Sequence, residues 1–200
     1  MASKVLKRRG GNASGYGLEQ DLAAIRNPGE ARPIPAPPSD LETLSSPTGG
    51  DSFTFRSFTA ADAYELGHLL HARLLPFSAT SPTLVSISLA AGGQVLFQAA
   101  VGSGATPDNE EWVRRKRNAV LRFGRSTWLL NRRFGDDASF RARMGISPER
   151  AADYAIHGGG VPIRVVGVEG VVAVVVVSGL RQEEDHAVIG DVIMETWEYE

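Results

Sequence analysis

Apolar residues recur at two different spacings along the chain, mainly between residues 52 and 200, and these spacings predict strands and helices. Apolar residues at every second position, or in short unbroken runs, predict strands, whereas a spacing of three or four predicts helices. The predicted strands cover 52–58, 84–91, 94–101, 161–166 and 171–180. The predicted helices cover 18–26, 107–133 with a kink at Gly124, 137–144, 183–197 and a segment that begins after Thr59.

The connections between neighbouring strands determine the predicted topology. Gly92-Gly93 joins one pair of strands, and residues 167–170 join another. Connections this short allow only antiparallel pairing. We therefore predict an α+β domain with a five-stranded antiparallel sheet flanked by helices, which is compatible with a profilin-like three-layer arrangement.

The run Val171–Val177 consists almost entirely of valine. β-branched side chains favour strands, and an unbroken apolar run is typical of a strand covered on both faces. The run is far shorter than the ~20 residues that a membrane-spanning helix needs. We therefore expect a central strand and no membrane span.

The first quarter of the chain has a different composition. Residues 1–16 are basic and lack a packing pattern, so we predict a disordered tail; a targeting signal is the alternative. Residues 27–51 are rich in proline, glycine and serine. We interpret them as an insertion or linker within a single domain that covers 17–200.

Composition narrows the class of function. The chain has a formal net charge of −2, so no overall field attracts nucleic acid. It contains no cysteine, which excludes disulfides, thiolate metal sites and a cysteine nucleophile. We therefore expect a cytoplasmic protein that binds no nucleic acid.

Lys116 is the first candidate site residue. On a helical wheel it falls within an apolar stripe, about 40° from Trp112. A lysine in such a stripe either extends to the sheet edge or faces an anion in a pocket. We assign Lys116 and its neighbour Arg115 to a ligand-binding site, and the extended lysine remains the alternative.

A triple glycine, Gly158, Gly159 and Gly160, stands between His157 and a strand. Glycine allows a sharp bend or a close backbone approach, so these amides could face a ligand. His157 is either a metal or haem ligand or a structural histidine. Asp185 and His186 are predicted to line the same pocket, with an acid–base pair as a further alternative. No metal site or catalytic residue is assigned.

A second candidate surface lies on the opposite side of the 107–133 helix. Leu121 and Trp128 are seven residues apart, among arginines that include Arg125. A tryptophan among arginines is typical of a protein interface. Packing under the long N-terminal loop is the alternative. His68 and His71 are three residues apart, lack a third metal ligand, and are interpreted as solvated.

Several segments together resemble the haem-degrading domain family, which includes haem-binding and glycolate-utilisation-type proteins. The segments are LFQAAVGSGATPDNEEWVRRKRNAVLRFGRS, AIHGGGVPIRV and GVEGVVAVVVVSGLRQEEDHAVI. Within that family the chain is most similar to an uncharacterised subfamily that carries TPDNxxWxRRKRN. The corresponding features are Lys116, Gly159–Pro162, Ser178-Gly179 and Glu184-Asp185, and the resemblance covers about residues 52–200.

The resemblance implies a profilin-like domain and a homo-oligomer that binds a small acidic ligand or a tetrapyrrole such as haem. It transfers no iron ligand and leaves enzymatic activity undecided. The alternative is a non-catalytic oligomeric adaptor or scaffold that acts on a protein partner. Protein targeting, such as the delivery of tail-anchored membrane proteins, is one such role.

Overall fold

A seven-stranded sheet forms the centre of the molecule. The computed structural model describes residues 4–10 and 14–200. Its strands are β1 (Leu6–Arg8), β2 (Phe53–Phe55), β3 (Thr83–Leu89), β4 (Val95–Val101), β5 (Gly160–Val165), β6 (Ala173–Ser178) and β7 (Trp197–Tyr199). Their order across the sheet is β4-β3-β6-β5-β2-β1-β7.

The sheet is mixed, so the prediction of five antiparallel strands was wrong in strand number and in direction. The two predicted hairpins are confirmed, because β3 pairs antiparallel with β4 and β5 pairs antiparallel with β6. However, β2 pairs parallel with both β5 and β1. Long connections separate these strands along the chain, and connections of that length leave strand direction open.

Helices cover both faces of the sheet and make an α+β fold. They are α1 (Tyr16–Arg26), α2 (Leu41–Ser45), α3 (Ala60–Leu74), α4 (Pro107–Phe123), α5 (Thr127–Phe134), α6 (Asp137–Arg143) and α7 (Gln182–Thr196). Short 3₁₀ turns occupy Leu75–Phe77 and Pro148–Asp153. Among the described residues, no helix is long and apolar enough to cross a membrane.

The valine strand β6 has a buried neighbour layer on each side, as the sequence predicts. Val175 and Val177 belong to the main core, which α3 and α7 complete. Val174 and Val176 point the other way and pack with Val113 and Val120 of α4. Successive side chains of a strand point to opposite faces, so an unbroken valine run serves both cores.

The predicted 107–133 helix is two helices. Gly124 has a φ of 65° and ends α4, and Ser126 then caps α5 by accepting a hydrogen bond from the Leu129 amide at 3.1 Å. Glycine adopts this left-handed conformation without the steric cost that other residues meet. The break reorients everything after Gly124, including Trp128.

The proline-rich segment 27–51 packs against the domain through its carbonyl groups. Trp128 donates from Nε1 to the Pro38 oxygen at 2.8 Å, and Arg73 donates to the Pro33 oxygen at 3.1 Å. Asp51, at the end of the segment, is buried. The segment contains the short helix α2, so it is more ordered than the composition suggested.

The N-terminal segment differs from the predicted disordered tail. Leu6–Arg8 form β1, which lies between β2 and β7, and Leu6 is buried in the main core. The rest of that prediction falls partly on residues 1–3 and 11–13, which lie outside the described residues. Three residues are too few for a recognisable alternation, so the sequence pattern did not indicate this strand.

The first testable prediction concerns β1. Leu6→Ala should lower the free energy of unfolding by about 2–5 kcal/mol, because it removes a buried leucine side chain. Urea unfolding followed by circular dichroism measures this change. Lys7 on the same strand is exposed, so Lys7→Ala is the matched control and should stay within about 0.5 kcal/mol of the wild type. Equal stabilities of wild type and Leu6→Ala would show that the segment does not pack.

Candidate functional site

A polar cleft of about 380 Å³ opens where the N-terminal ends of α4 and α7 meet. Lys116 and Asp185 contribute to its wall. The other lining residues are Thr106, Asp108, Asn109, Trp112, His157, Ser178, Gly179, Leu180 and Gln182. Two helix N-termini therefore present their partial positive charge to one space.

Lys116 is buried, with 2% of its surface exposed, and its side chain extends from α4 to the end of β6. Its Nζ donates to Asp185 Oδ2 at 2.9 Å and to the Val177 carbonyl oxygen at 3.1 Å. An ammonium group has three donors, so one remains after these two bonds. The side chain does not extend into solvent, and the assignment of Lys116 to a ligand-binding site stays a prediction.

Asp185 balances the lysine charge from the first turn of α7. Its carboxylate also accepts hydrogen bonds from the amides of Leu180 at 2.9 Å and Gly179 at 3.4 Å. Burial raises the pKa of Asp185 above its ordinary value, and the Lys116 ammonium and the Leu180 amide oppose that rise. The pair thus places a matched positive and negative charge at the base of the cleft.

The triple glycine serves close packing, and two of its three amides bond within the chain, contrary to the prediction that they face a ligand. The Gly160 amide donates to Thr127 Oγ1 at 2.9 Å, and the Gly158 amide donates to Gln182 Oε1 at 3.3 Å. Gly159 has a φ of 113°, and a Cβ there would lie 2.9 Å from Lys116 Nζ and 2.3 Å from the Val177 oxygen. Gly159 is therefore the residue that leaves room for the ion pair.

His157 lies at the edge of the cleft and is half exposed. Its ring meets Trp112 edge-on, with ring centroids 4.9 Å apart, and its Nδ1 is 3.7 Å from Asp137 Oδ2. Trp112 is only partly buried and lines the cleft, although the helical wheel had placed it in the core. Arg115 stacks over the Trp112 ring and does not line the cleft.

His186 does not join the cleft that Asp185 lines, although the two were predicted to share one pocket. It is buried, its ring stacks on Trp128 with centroids 6.2 Å apart, and it lines a second cavity. Burial, together with the charge of Lys116, lowers the pKa of His186 from 6.5 to about 3. Adjacent residues on α7 therefore face different spaces.

The predicted interface of Leu121, Trp128 and Arg125 does not form one exposed surface. Trp128 is 3% exposed and packs with Leu44 and Leu129 under the N-terminal segment. Leu121 and Arg125 are both exposed, and Arg125 also bonds to the buried Asp51 at 2.7 Å. The packing alternative for Trp128 is the one that agrees with the structure.

Comparison with known proteins gives one consistent family. A model described as "Haem degrading protein HbpS-like" matches residues 58–193. The UPF0303 protein of Streptomyces avermitilis is 42% identical over 137 residues, which span 68% of this chain and 78% of that protein. A UPF0303 protein of Burkholderia cenocepacia is 37% identical over 147 residues, or 74% and 83% of the two chains.

The chain belongs to the HbpS-like haem-degrading protein family. The crystal structure of the Ybr137w protein resembles the present fold with a TM-score of 0.67 and 27% sequence identity. The similarity covers 88% of this chain and 93% of that one. The family therefore accounts for the domain, and the cleft has to be interpreted from its own residues.

Sequence reasoning missed several polar residues of this HbpS-like domain. Gln182 and Asp108 line the cleft, and their position in the first turns of α7 and α4 was the available signal. His68 and His71 are not solvated, because both Nδ1 atoms lie 2.6 Å from the Asp21 carboxylate of α1. Within 4–10 and 14–200, no group of three or more histidine and carboxylate side chains is arranged so that it could hold a metal ion.

The second testable prediction concerns the buried ion pair. Lys116→Met should lower the free energy of unfolding by about 3–5 kcal/mol at neutral pH, because it leaves the Asp185 charge buried without its partner. Lys116→Met/Asp185→Asn should recover most of that loss, since asparagine is neutral and still accepts from the Leu180 amide. Urea unfolding of both variants tests the coupling. A double variant as unstable as Lys116→Met would contradict it.

The third prediction concerns His186 and pH. The unfolded chain binds the histidine proton below pH 6.5, whereas the folded chain does so only near pH 3. His186 therefore makes stability fall as the pH drops from 6.5 towards 3, by about 1.4 kcal/mol per pH unit. Comparing urea midpoints at several pH values for wild type and His186→Phe isolates this contribution. The exposed His157→Phe is the control, and identical slopes in wild type and His186→Phe would refute the prediction.

Proposed function

We propose that this protein binds a small carboxylate ligand in the cleft between α4 and α7. The supporting observation is the Lys116 ammonium, which lines the cleft and has one donor beyond its bonds to Asp185 and Val177. A hydrogen bond between a cation and a carboxylate is stronger than one between neutral groups. A buried donor of this kind is a specific recognition element for an anion.

The other polar groups of the cleft support the same ligand class. Lys116 neutralises the charge of Asp185, whereas Asp108 accepts a hydrogen bond from the neutral Trp112 indole at 3.0 Å and keeps its charge. Gln182 uses its oxygen to accept the Gly158 amide, which turns its amide nitrogen into a donor for a ligand. The two helix N-termini add further positive potential.

The lining of the cleft does not fit haem. A haem macrocycle is broad, planar and largely apolar, and ligand sites of that kind need mostly apolar walls. The cleft offers only Trp112 and Leu180 as large apolar side chains, and the rest of its wall is mainly polar. A compact acid therefore fits this wall better than a tetrapyrrole does.

The adaptor alternative rested on an outward tryptophan among arginines. Trp128 is buried against Leu44 and the segment that carries Pro38. Its burial removes the tryptophan from the predicted partner surface, of which Leu121 and Arg125 remain exposed. The small-ligand function therefore has the stronger support from side-chain geometry.

The fourth prediction tests the carboxylate. Glycolate should shift the Trp112 indole resonance in a two-dimensional NMR titration, because Trp112 lines the cleft. Glycolamide, which differs from glycolate in replacing the charged group by a neutral amide, should bind at least about ten times more weakly, the scale of a charged hydrogen bond. Trp112→Phe assigns the resonance.

The control for that titration is Lys116→Met/Asp185→Asn, which removes the cation without leaving a buried charge unpaired. It should bind glycolate about tenfold or more weakly than the wild type. Equal affinity for glycolate and glycolamide, or equal glycolate affinity in this variant, would refute the proposed site.

The fifth prediction concerns assembly. We expect a homo-oligomer, as the family resemblance implies. Light scattering at micromolar concentration should give a multiple of the 21.4 kDa chain mass. A measured mass equal to a single chain would contradict this expectation, and it would leave the cleft proposal intact because the cleft lies within one chain.

A further inference from the structure

A second cavity of about 480 Å³ lies on the other side of the first turn of α7. The proline-rich segment forms one wall, and α7 forms another. The large apolar side chains in its lining are Pro35, Pro37, Pro38, Phe53, Met194 and Tyr199. Gly49, Gly50 and Gly190 also line it and contribute no side chains. The cavity is therefore much more apolar than the carboxylate cleft.

One polar ring stands in this apolar wall. His186 is 4% exposed, and its Nδ1 has no hydrogen-bond partner among the residues described. Its other nitrogen, Nε2, lies beside Gly50, whose missing Cβ would be 3.6 Å away. Buried polar groups normally have partners, so the lack of one at Nδ1 constrains the tautomer of this ring.

The burial of Nδ1 determines which hydrogen bond the ring can offer. A neutral imidazole carries one proton, on either Nδ1 or Nε2. An unpartnered buried N–H is rarer than an acceptor that lacks a donor. The proton therefore belongs on Nε2, next to Gly50, where it can be donated to a molecule in the cavity.

We propose that this cavity binds a small, uncharged, mainly apolar molecule through one acceptor oxygen, such as a ketone carbonyl, that receives the hydrogen bond from His186 Nε2. The apolar wall supplies the area for binding, and the His186 donor supplies orientation. This ligand class differs from the one proposed for the cleft. The two proposals are independent, because they rest on different walls.

The charges around the cavity support an uncharged ligand. Its lining contains two acids, Asp191 and Glu195, at α7, and no lysine or arginine. Asp191 pairs with Arg73 at 3.1 Å, and Glu195 pairs with Arg32. An anion would therefore meet no unpaired cation in this wall. The lowered pKa of His186 agrees, since the ring stays neutral near pH 7.

The depth of His186 also separates this site from a haem site. A single carbonyl oxygen can reach a nitrogen that is almost covered. An iron in a planar macrocycle needs free space around the whole ring nitrogen, and a side chain that is 4% exposed does not provide it. Haem is therefore the expected non-binder for this cavity.

The experiment uses two uncharged fluorescent probes in titrations of the full chain. One is 6-propionyl-2-dimethylaminonaphthalene, a ketone, and the other is 6-propyl-2-dimethylaminonaphthalene, in which a CH2 group replaces the carbonyl group. The wild type should bind the ketone about 3–10 times more tightly than its analogue, the scale of one neutral hydrogen bond. Thermal unfolding by circular dichroism verifies that each variant is folded.

Variants at Gly190 and His186 distinguish the contribution of the cavity wall to binding from that of the hydrogen-bond donor. Gly190→Leu should fill the cavity and abolish binding of both probes, since Gly190 lies in its lining. His186→Phe keeps a ring against Trp128 and should lower only the ketone affinity, to the level of the analogue. His186→Gln, which retains an N–H donor, should keep part of the ketone preference and serves if the phenylalanine variant does not fold.

Three results would overturn the proposal. One is the absence of binding of either probe to the wild type, and another is unchanged binding in Gly190→Leu. The third is a ketone preference that survives His186→Phe or disappears in both His186 variants alike. Displacement of the ketone probe by haem in the wild type but not in His186→Phe would show instead that the ring binds iron.

Discussion

The ion pair between Lys116 and Asp185 is the interaction on which the rest of the site depends. It joins α4 to α7 across the end of β6, within 2.9 Å and almost without solvent contact. Burying two charges is costly, and the cost is offset only when geometry and additional hydrogen bonds are good. The Val177 carbonyl and the Leu180 amide provide those bonds, and Gly159 provides the space.

The first turn of α7 divides the space beside the sheet in two. Asp185 faces a polar cleft that two helix N-termini enclose, whereas His186, the next residue, faces an apolar cavity under the proline-rich segment. Consecutive residues of a helix point about 100° apart, so neighbours in sequence can serve different environments. This division explains how one short stretch, EEDHAV, supports two distinct ligand proposals.

Membership of the HbpS-like family explains the fold of the domain. The class of ligand is inferred from the side chains that line its cavities. The family model matches residues 58–193, whereas β1, α1 and the proline-rich segment precede that range. The proline-rich segment covers Trp128 and forms a wall of the apolar cavity. One wall of this cavity therefore comes from residues that precede the family match, and the α7 wall comes mostly from residues within it.

The sequence by itself determined the elements whose side chains obey a long, regular period. The valine strand β6, the two hairpins, the inward faces of α3 and α7 and the position of Lys116 in an apolar stripe were all predictable, because periodicity records which face is covered. The tertiary structure alone decided the three-residue strands β1 and β7 and the parallel pairing of β2, because long-range pairing leaves no local pattern. It also decided the positions of Trp128 and His186. A helix break at Gly124 redirects Trp128, and the partner of a buried polar group, or its absence, depends on chain segments that are distant in sequence.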